Sequence, residues 1–357
     1  MKKTALFRLG LSFFALLSLL CLPRVTRAEN PGDLDLDGAV TAGDAARLYR
    51  SIQEDRSRWW DLVRLGDLTH NDDLDETDVR VALHLAAGLI PDYVSFAEVV
   101  SKGILDESHF DVFSYTGTQS DGWNYKSENV SVTVTKHSKK NLTYYCADIY
   151  VRYLGSFSTS LSNGRNRGLY QTVPEAARMH QAILAVNGDY FKARKYGPIV
   201  RNGDWIRTNM SQVRDICIMT YDGVLTTYGP KELTLEDVTA MNPYQLWIFG
   251  PELLDADGRA MTKFNSRLTD RNPRTAIGYF EPGHYCLVVV DGRQGEYSGG
   301  LTMKDLSALF ADLGCTAAYN LDGGETSAMA TAEELINRPF RDGRVLSDFI
   351  LIREPGA

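Results

Sequence analysis

Two carboxylates stand where an apolar run stops and glycine begins: Asp291 in "VVVDGR" and Asp322 in "YNLDGGETS". A carboxylate leaving a strand into a glycine turn is placed for acid–base or electrostatic work, because glycine lets the backbone turn sharply and brings its N–H groups close to a bound group. Gly323 and Gly324 offer such N–H groups, and Thr326 and Ser327 add hydroxyls. Arg293 follows the first turn, and Arg274 in "RNPRTAIGYF" precedes a third apolar run. A guanidinium held by a strand binds phosphate or carboxylate through two parallel hydrogen bonds. Asn187, Gly188 and Asp189 end a fourth run, "ILAVNGDYF", and Glu325 brings a further carboxylate into the second turn. Taken alone, Asp-Gly-Gly is a tight turn, and an exposed arginine such as Arg271 is a solvated surface group. Two turns with two carboxylates and an arginine make the case for a site.

The elements that must position these residues are legible. Tyr285–Val290 is continuously apolar, as in a strand covered on both faces. Thr302 and Asp305 read as a capping box, Met303, Leu306, Phe310 and Leu313 form a helical stripe, and Gly314 supplies the C-cap. Ala317–Leu321 is a second apolar strand. Strand–helix–strand spacing of this length predicts a right-handed crossover with the two strands parallel and Asp291 and Asp322 at the same edge, where open α/β sheets bind ligands. Further strands are predicted over 130–137, 142–153, 183–186, 216–220 and 275–280. The fold class is therefore α+β: a mixed-sheet domain over 117–357 containing a βαβ unit.

The ordered blocks "AVNGDYF", "VRNG", "FGPELLDADG", "NPRTAIG", "VVVDGRQGEYSGGLTMKDLSALFADLGC", "NLDGGETSAM" and "NRP" resemble the phosphodiester glycosidase family, from about Ile183 to Pro339. One departure is Glu325-Thr326, where that family commonly reads Gly-Ser. The resemblance implies hydrolysis of a sugar 1-phosphodiester through an oxocarbenium-like state. A leaving phosphate monoester needs charge neutralisation more than protonation. On this reading Arg274 and the glycine N–H groups receive the phosphate. Asp322 first, then Asp291, is the carboxylate at the anomeric carbon or its water. Glu325 is a third catalytic candidate. Asn187, Gly188, Asp189, Arg293, Gly323, Gly324, Thr326 and Ser327 line the substrate. The alternative is a non-catalytic glycan-binding or structural component that uses the same crevice.

Ahead of this domain "DLDLDGAVTAGD" spaces Asp33, Asp35, Asp37, the Ala39 carbonyl, Thr41 and Asp44 as the calcium ligands of an EF-hand-like loop, with Gly38 at the turn. The pattern returns 34 residues on with Asp67, Thr69, Asn71, Asp73, Asp75 and Asp78. Helices should follow, facing inward through Ala45, Leu48, Tyr49 and Ile52, and through Val79, Ala82, Leu83 and Ala86. The duplicated loop–helix resembles a dockerin, which implies a small all-α domain over 29–92, structural Ca²⁺ in its loops and a cohesin-type scaffold domain as partner. Residues 93–116 show neither period and read as a connector.

Lys2, Lys3 and Arg8, the apolar run Leu9–Leu22 and Thr26-Arg27-Ala28 predict a signal peptide over 1–28, hence a secreted or scaffold-attached protein with no span after cleavage. Residues 29–92 hold fifteen Asp/Glu and six Lys/Arg, a balance of −9, and nothing is basic enough for nucleic acid. GxSxG, HExxH and Walker spacings are absent from the sequence. Cys146, Cys217, Cys286 and Cys315 lie in or beside apolar strands and read mostly as small core residues, with pairing left open.

Overall fold

The computed structural model describes residues 32–35, 37–54, 66, 68, 76–88, 103–162, 170–190, 196–210 and 214–355. The predicted signal and the loop positions Asp67, Thr69, Asn71, Asp73 and Asp75 lie outside them. Contacts divide the chain into two compact units, Met1–Gly88 and Leu89–Ala357. Among the described residues no helix is long and apolar enough to cross a membrane.

In the first unit α1 (Ala42–Glu54) packs on α2 (Glu76–Ala86). Ala45, Leu48, Val79 and Ala82 are buried as the helical period requires. Tyr49 and Leu83 are exposed instead, and Val81 takes an inward position, because two helices bury only a narrow stripe of each other.

The second unit holds β1 (Gln119–Asp121), β2 (Asn124–Lys126), β3 (Val130–Lys139), β4 (Leu142–Val151), β5 (Phe157–Leu161), α3 (Val173–Met179) and β6 (Leu184–Asn187). It continues through β7 (Ile199–Arg201), β8 (Asp204–Arg207), β9 (Ile216–Thr220), β10 (Leu225–Tyr228), α4 (Leu235–Ala240) and β11 (Pro243–Trp247). It ends with β12 (Arg274–Glu281), β13 (His284–Val290), α5 (Met303–Asp312), β14 (Ala317–Asn320), β15 (Met329–Ala330) and β16 (Asp348–Ile352). Among the described residues three sheets form, in the orders β1-β2-β3-β4-β13-β12-β14, β10-β9-β11-β7-β8 and β15-β6-β16-β5.

Among the described residues every strand pairing is antiparallel. β12 lies between β13 and β14 and is antiparallel to both, so β13 and β14 run parallel without touching. The predicted crossover exists, but the sheet is not an open parallel one. Its consequence for the site survives: the carboxyl ends of β13 and β14 share an edge, and the amino end of β12 joins them there.

Side chains alternate across β12. Ala276 and Gly278 face α5 in one core with Cys286, Val288, Phe310 and Ala318. Ile277 and Tyr279 face the opposite core, which Leu184, Met219, Trp247 and Ile350 of the other two sheets complete. The helix therefore covers one face of the large sheet and strands cover the other. Cys146, Cys217, Cys286 and Cys315 are buried free thiols, with Cys286 and Cys315 Sγ 3.7 Å apart above Gly278. The described part of the predicted connector is docked on this unit. Ile104 N–H donates to the Arg152 carbonyl, Gly103 bridges Tyr153, and a 3-10 helix spans Glu107–Val112.

At the centre Arg201 of β7 grips Asp348 of β16 through two bonds of 2.7 Å, both residues being wholly out of water. The same guanidinium donates to the carbonyls of Val200 and Leu246 and lies over the Trp247 ring. Removing one partner of such a pair strands a buried charge, at a cost of about 3–5 kcal/mol. Arg201→Met is therefore expected to lower unfolding free energy by that order in urea titration. A change under about 1 kcal/mol would show that the pair is not structural.

Candidate active site

The two Asp-Gly turns meet at Pro273, the residue just ahead of β12. A Cβ added to Gly292 would lie 2.6 Å from Pro273 N, and one added to Gly323 2.9 Å from Pro273 O. Backbone cannot give way like a flexible side-chain end, so both positions exclude a side chain. Gly324 N–H donates to the same Pro273 carbonyl, closing the second turn, and Gly324 itself has φ 74°, which favours glycine.

Asp322 is buried at 6% exposure. Its Oδ1 accepts the Gly323 N–H at 2.8 Å, and its Oδ2 lies 3.4 Å from Arg344 Nη2. Burial pushes its pKa up to about 6, against the partial relief of those bonds, and nearby Asp189 adds to the rise. Asp291 is buried too, but its carboxylate is more fully occupied. It accepts Tyr297 Oη and Asn337 Nδ2 at 2.8 Å each, and the Arg338 N–H. Burial raises its pKa against these bonds.

Asn187 is a clamp. Its amide donates to the Asp322 carbonyl at 2.7 Å and accepts from Thr275 Oγ1 and the Ala328 N–H, joining the end of β6 to β12 and to both sides of the glycine turn. Gly188 packs so closely on Asp348 that a Cβ would overlap its carboxylate. Asp189 accepts the N–H groups of Tyr190 and Ile248 and lies 3.8 Å from Arg201. These three residues were expected to line substrate; the structure gives them the task of holding the strand end. Thr326 Oγ1 donates to the Gly323 carbonyl, and the buried Ser327 hydroxyl has no partner among the described residues.

Arg274 is the main departure from expectation. By alternation its side chain leaves β12 on the α5 face, where Nη2 donates to the carbonyls of Leu268 and Asp270 at 2.7 and 2.6 Å and Nε to that of Leu301. Burial, then neighbouring Arg293, lowers its pKa to about 10. Arg293 is the guanidinium beside the turn. Its Nη1 lies 3.3 Å from where a Gly324 Cβ would stand, it donates to Asn272 Oδ1, and it covers the Phe340 ring.

Sequence reasoning missed the loop 331–344, which runs along the whole edge. Glu334 takes the Trp123 indole N–H, Asn337 holds Asp291, Arg338 stacks on Tyr297, Arg341 pairs with Glu325 at 3.1 Å, and Arg344 reaches Asp322. The signal in the sequence is the density of arginine in "NRPFRDGR". Arg201 was likewise visible as a charged residue ending the apolar strand "IVR".

In the first unit, ligand oxygens of Asp33, Asp35 and Asp37 lie within 4.8 Å of one another. Asp33 accepts the N–H groups of Asp37 and Gly38, and Asp44 those of Leu34, Asp35 and Thr41. Gly38 has φ 103°. Such a convergence of hard oxygens suits calcium. Asp78 accepts the Leu68 N–H at 2.9 Å, as Asp44 accepts that of Leu34 at 2.9 Å, so the second copy repeats the bond at its closing residue.

The second unit is thus a mixed-sheet α/β domain that gathers two buried carboxylates, a glycine turn and several arginines at one strand edge. Residues 180–353 match the family model of phosphodiester glycosidase. The fold is similar to that of the zebrafish N-acetylglucosamine-1-phosphodiester alpha-N-acetylglucosaminidase catalytic domain auto-inhibited by its pro-peptide, at 22% identity and TM-score 0.51, over 63% of this chain and 83% of that one. It is also similar to a hypothetical protein from Synechocystis, at 15% identity and TM-score 0.50, over 67% of this chain and 64% of that one. The SPbeta prophage-derived uncharacterized protein YomE of Bacillus subtilis (strain 168) is 25% identical over 272 residues, 72% of this chain. The chain spans only 41% of that relative's length.

The raised pKa of Asp322 carries a stability signature. The native state keeps this proton between about pH 3.8 and 6 while the unfolded chain has released it. The stability so gained is full below the lower value and lost as pH rises through about 6. Asp322→Asn, which never ionises, should match the wild type near pH 4 and exceed it progressively toward pH 7, by up to about 3 kcal/mol. Urea unfolding at pH 4, 5.5 and 7 measures this; parallel curves would mean the carboxyl is not perturbed.

Proposed function

We propose that this protein hydrolyses a sugar 1-phosphodiester to free sugar and a phosphomonoester. The observation that carries the reading is the buried Asp322 carboxylate held against the Gly323–Gly324 turn with guanidinium groups on two sides of it. The match of residues 180–353 to the phosphodiester glycosidase model supports the reaction class. The zebrafish relative's name supports N-acetylglucosamine 1-phosphodiesters as the substrates to try first.

Arg293 suits the phosphate better than Arg274 does, because it stands over Gly324 while Arg274 is engaged by three carbonyls. Arg293 neutralises charge as the C1–O bond breaks, because the Gly323 and Gly324 N–H groups expected to share that task are already engaged by the Asp322 carboxylate and the Pro273 carbonyl. The Asp322 carboxylate stabilises the oxocarbenium-like carbon or takes a proton from the attacking water. Arg344, bonded to Asp322, holds it in place. Asp291, braced by Tyr297 and Asn337, is the second carboxylate of the pair.

Asp322→Asn keeps size and most hydrogen bonding while removing the charge. Turnover of a synthetic N-acetylglucosamine 1-phosphodiester should fall at least about 10²-fold, roughly 2.7 kcal/mol of transition-state stabilisation. In the wild type the rate should rise with pH through about 6, since the ionised form acts. Arg293→Ala should cost more than Arg274→Lys in rate; the reverse order would return the phosphate to Arg274. Near-normal turnover in Asp322→Asn, with loss in Glu325→Gln, would move the chemistry to Glu325.

We further propose that the protein is exported and that the front unit is a calcium-bound, dockerin-like module through which a cohesin-type scaffold domain is engaged. The repeated closing bond from residue 2 to residue 12 of each loop supports it. Calcium bound to the native state alone stabilises it. The melting temperature of the front transition in the full chain should rise with calcium and fall with chelator. Asp35→Ala should abolish much of that rise, and a front transition indifferent to calcium would remove the proposal.

A further inference from the structure

Beside the glycine turn lies a small pocket of about 120 Å³. Its wall is apolar: Val173 and Pro174 at the start of α3, with Ala328, Leu335 and Pro339. Glu325, Asp342 and Arg344 also line it, and Glu325 pairs with Arg341. Arg344 lines the pocket and is also bonded to Asp322, which ties the pocket to that carboxylate.

Among the lining residues Glu325 and Asp342 carry two negative charges against one positive charge on Arg344, a balance of one negative charge. Arg293, the guanidinium over Gly324, stands at the turn and not in the pocket lining. The edge is thus divided: an anion seat at the turn, and a slightly acidic, apolar-walled recess next to it. Glu325 creates the acidity at a position where the resembled family commonly carries glycine, so the feature belongs to this chain.

Resting on the glycosidase reading above, we propose that this recess takes the alcohol on the far side of the phosphate, and that Glu325 selects a compact alcohol bearing a cationic or neutral group while rejecting an anionic one. The apolar wall accommodates the alcohol's carbon chain, and the Glu325 carboxylate meets its terminal group. An anionic alcohol there would stand against Glu325 and Asp342 with only guanidinium groups that are already paired, a repulsive choice against the wrong substrate.

The test uses product-like ligands that share the phosphate and differ only in the alcohol. Isothermal titration of the full-length protein with phosphoethanolamine and with phosphoglycolate, at pH 7.5, reads the recess without any turnover. Wild type should bind phosphoethanolamine at least about tenfold more tightly, a difference near 1.4 kcal/mol. Glu325→Gln should reduce that ratio below about threefold while leaving inorganic phosphate binding unchanged. Leu335→Trp, which fills the recess from its exposed rim, should weaken both organic ligands and spare inorganic phosphate. Equal binding of the two ligands by wild type overturns the proposal, as does a preference that survives Glu325→Gln. Failure of every sugar 1-phosphodiester to release sugar would instead overturn the glycosidase reading and leave the titration contrast to decide the recess by itself.

Discussion

The buried Arg201–Asp348 pair is the constraint on which the strand edge depends. Two charges removed from water must be matched bond for bond, since an unmatched one costs several kcal/mol. Asp348 accepts two guanidinium bonds and the Asp189 N–H, while Arg201 also takes the Val200 and Leu246 carbonyls. Four segments, β7, β11, β16 and the Gly188–Asp189 turn, are thereby fixed to one another. Gly188 is required because the carboxylate occupies the volume of its missing side chain. From that turn Asn187 reaches Asp322 and Ala328, so the placement of the glycine nest is inherited from a charge pair in the core.

The antiparallel β12 has a second consequence. Its amino end lies at the carboxyl ends of β13 and β14, which brings Pro273 between two Asp-Gly turns. The turns are alike because they share a neighbour: each glycine packs on Pro273 backbone. Arg274, one residue further, is sent by alternation to the helix face, where it braces the loop 268–270 and Leu301. The arginine beside the turn comes from the far side of the first turn, as Arg293. A one-residue step along a strand decides between bracing and binding.

The loop 331–344 supplies what the strands do not. Asn337 holds one carboxylate, Arg344 the other, and Arg341 turns Glu325 aside into the recess. Burial raises the pKa of both carboxyls, yet they differ in kind. Asp291 is ringed by donors that fix its direction, while Asp322 keeps an oxygen toward a half-exposed arginine. The first is suited to orienting and the second to exchanging a proton.

What the sequence determined by itself was local. Apolar continuity predicts β13 and β14, the Thr302–Asp305 cap and Gly314 bound α5, and the carboxylates at the ends of those strands follow from the same residues. The spacing of Asp33, Asp35 and Asp37 around Gly38 likewise converges in space, because a twelve-residue loop leaves its ligands no distance to drift. Tertiary structure decided everything that depends on which strand comes between which. The insertion of β12, the direction of the Arg274 side chain, the Arg201–Asp348 pair across 147 residues and the service of Asn187 as a clamp are all pairings of distant segments. Periodicity reports only which face of an element is apolar, and a polar residue at a strand end looks the same in sequence whether it meets solvent, substrate or a buried partner.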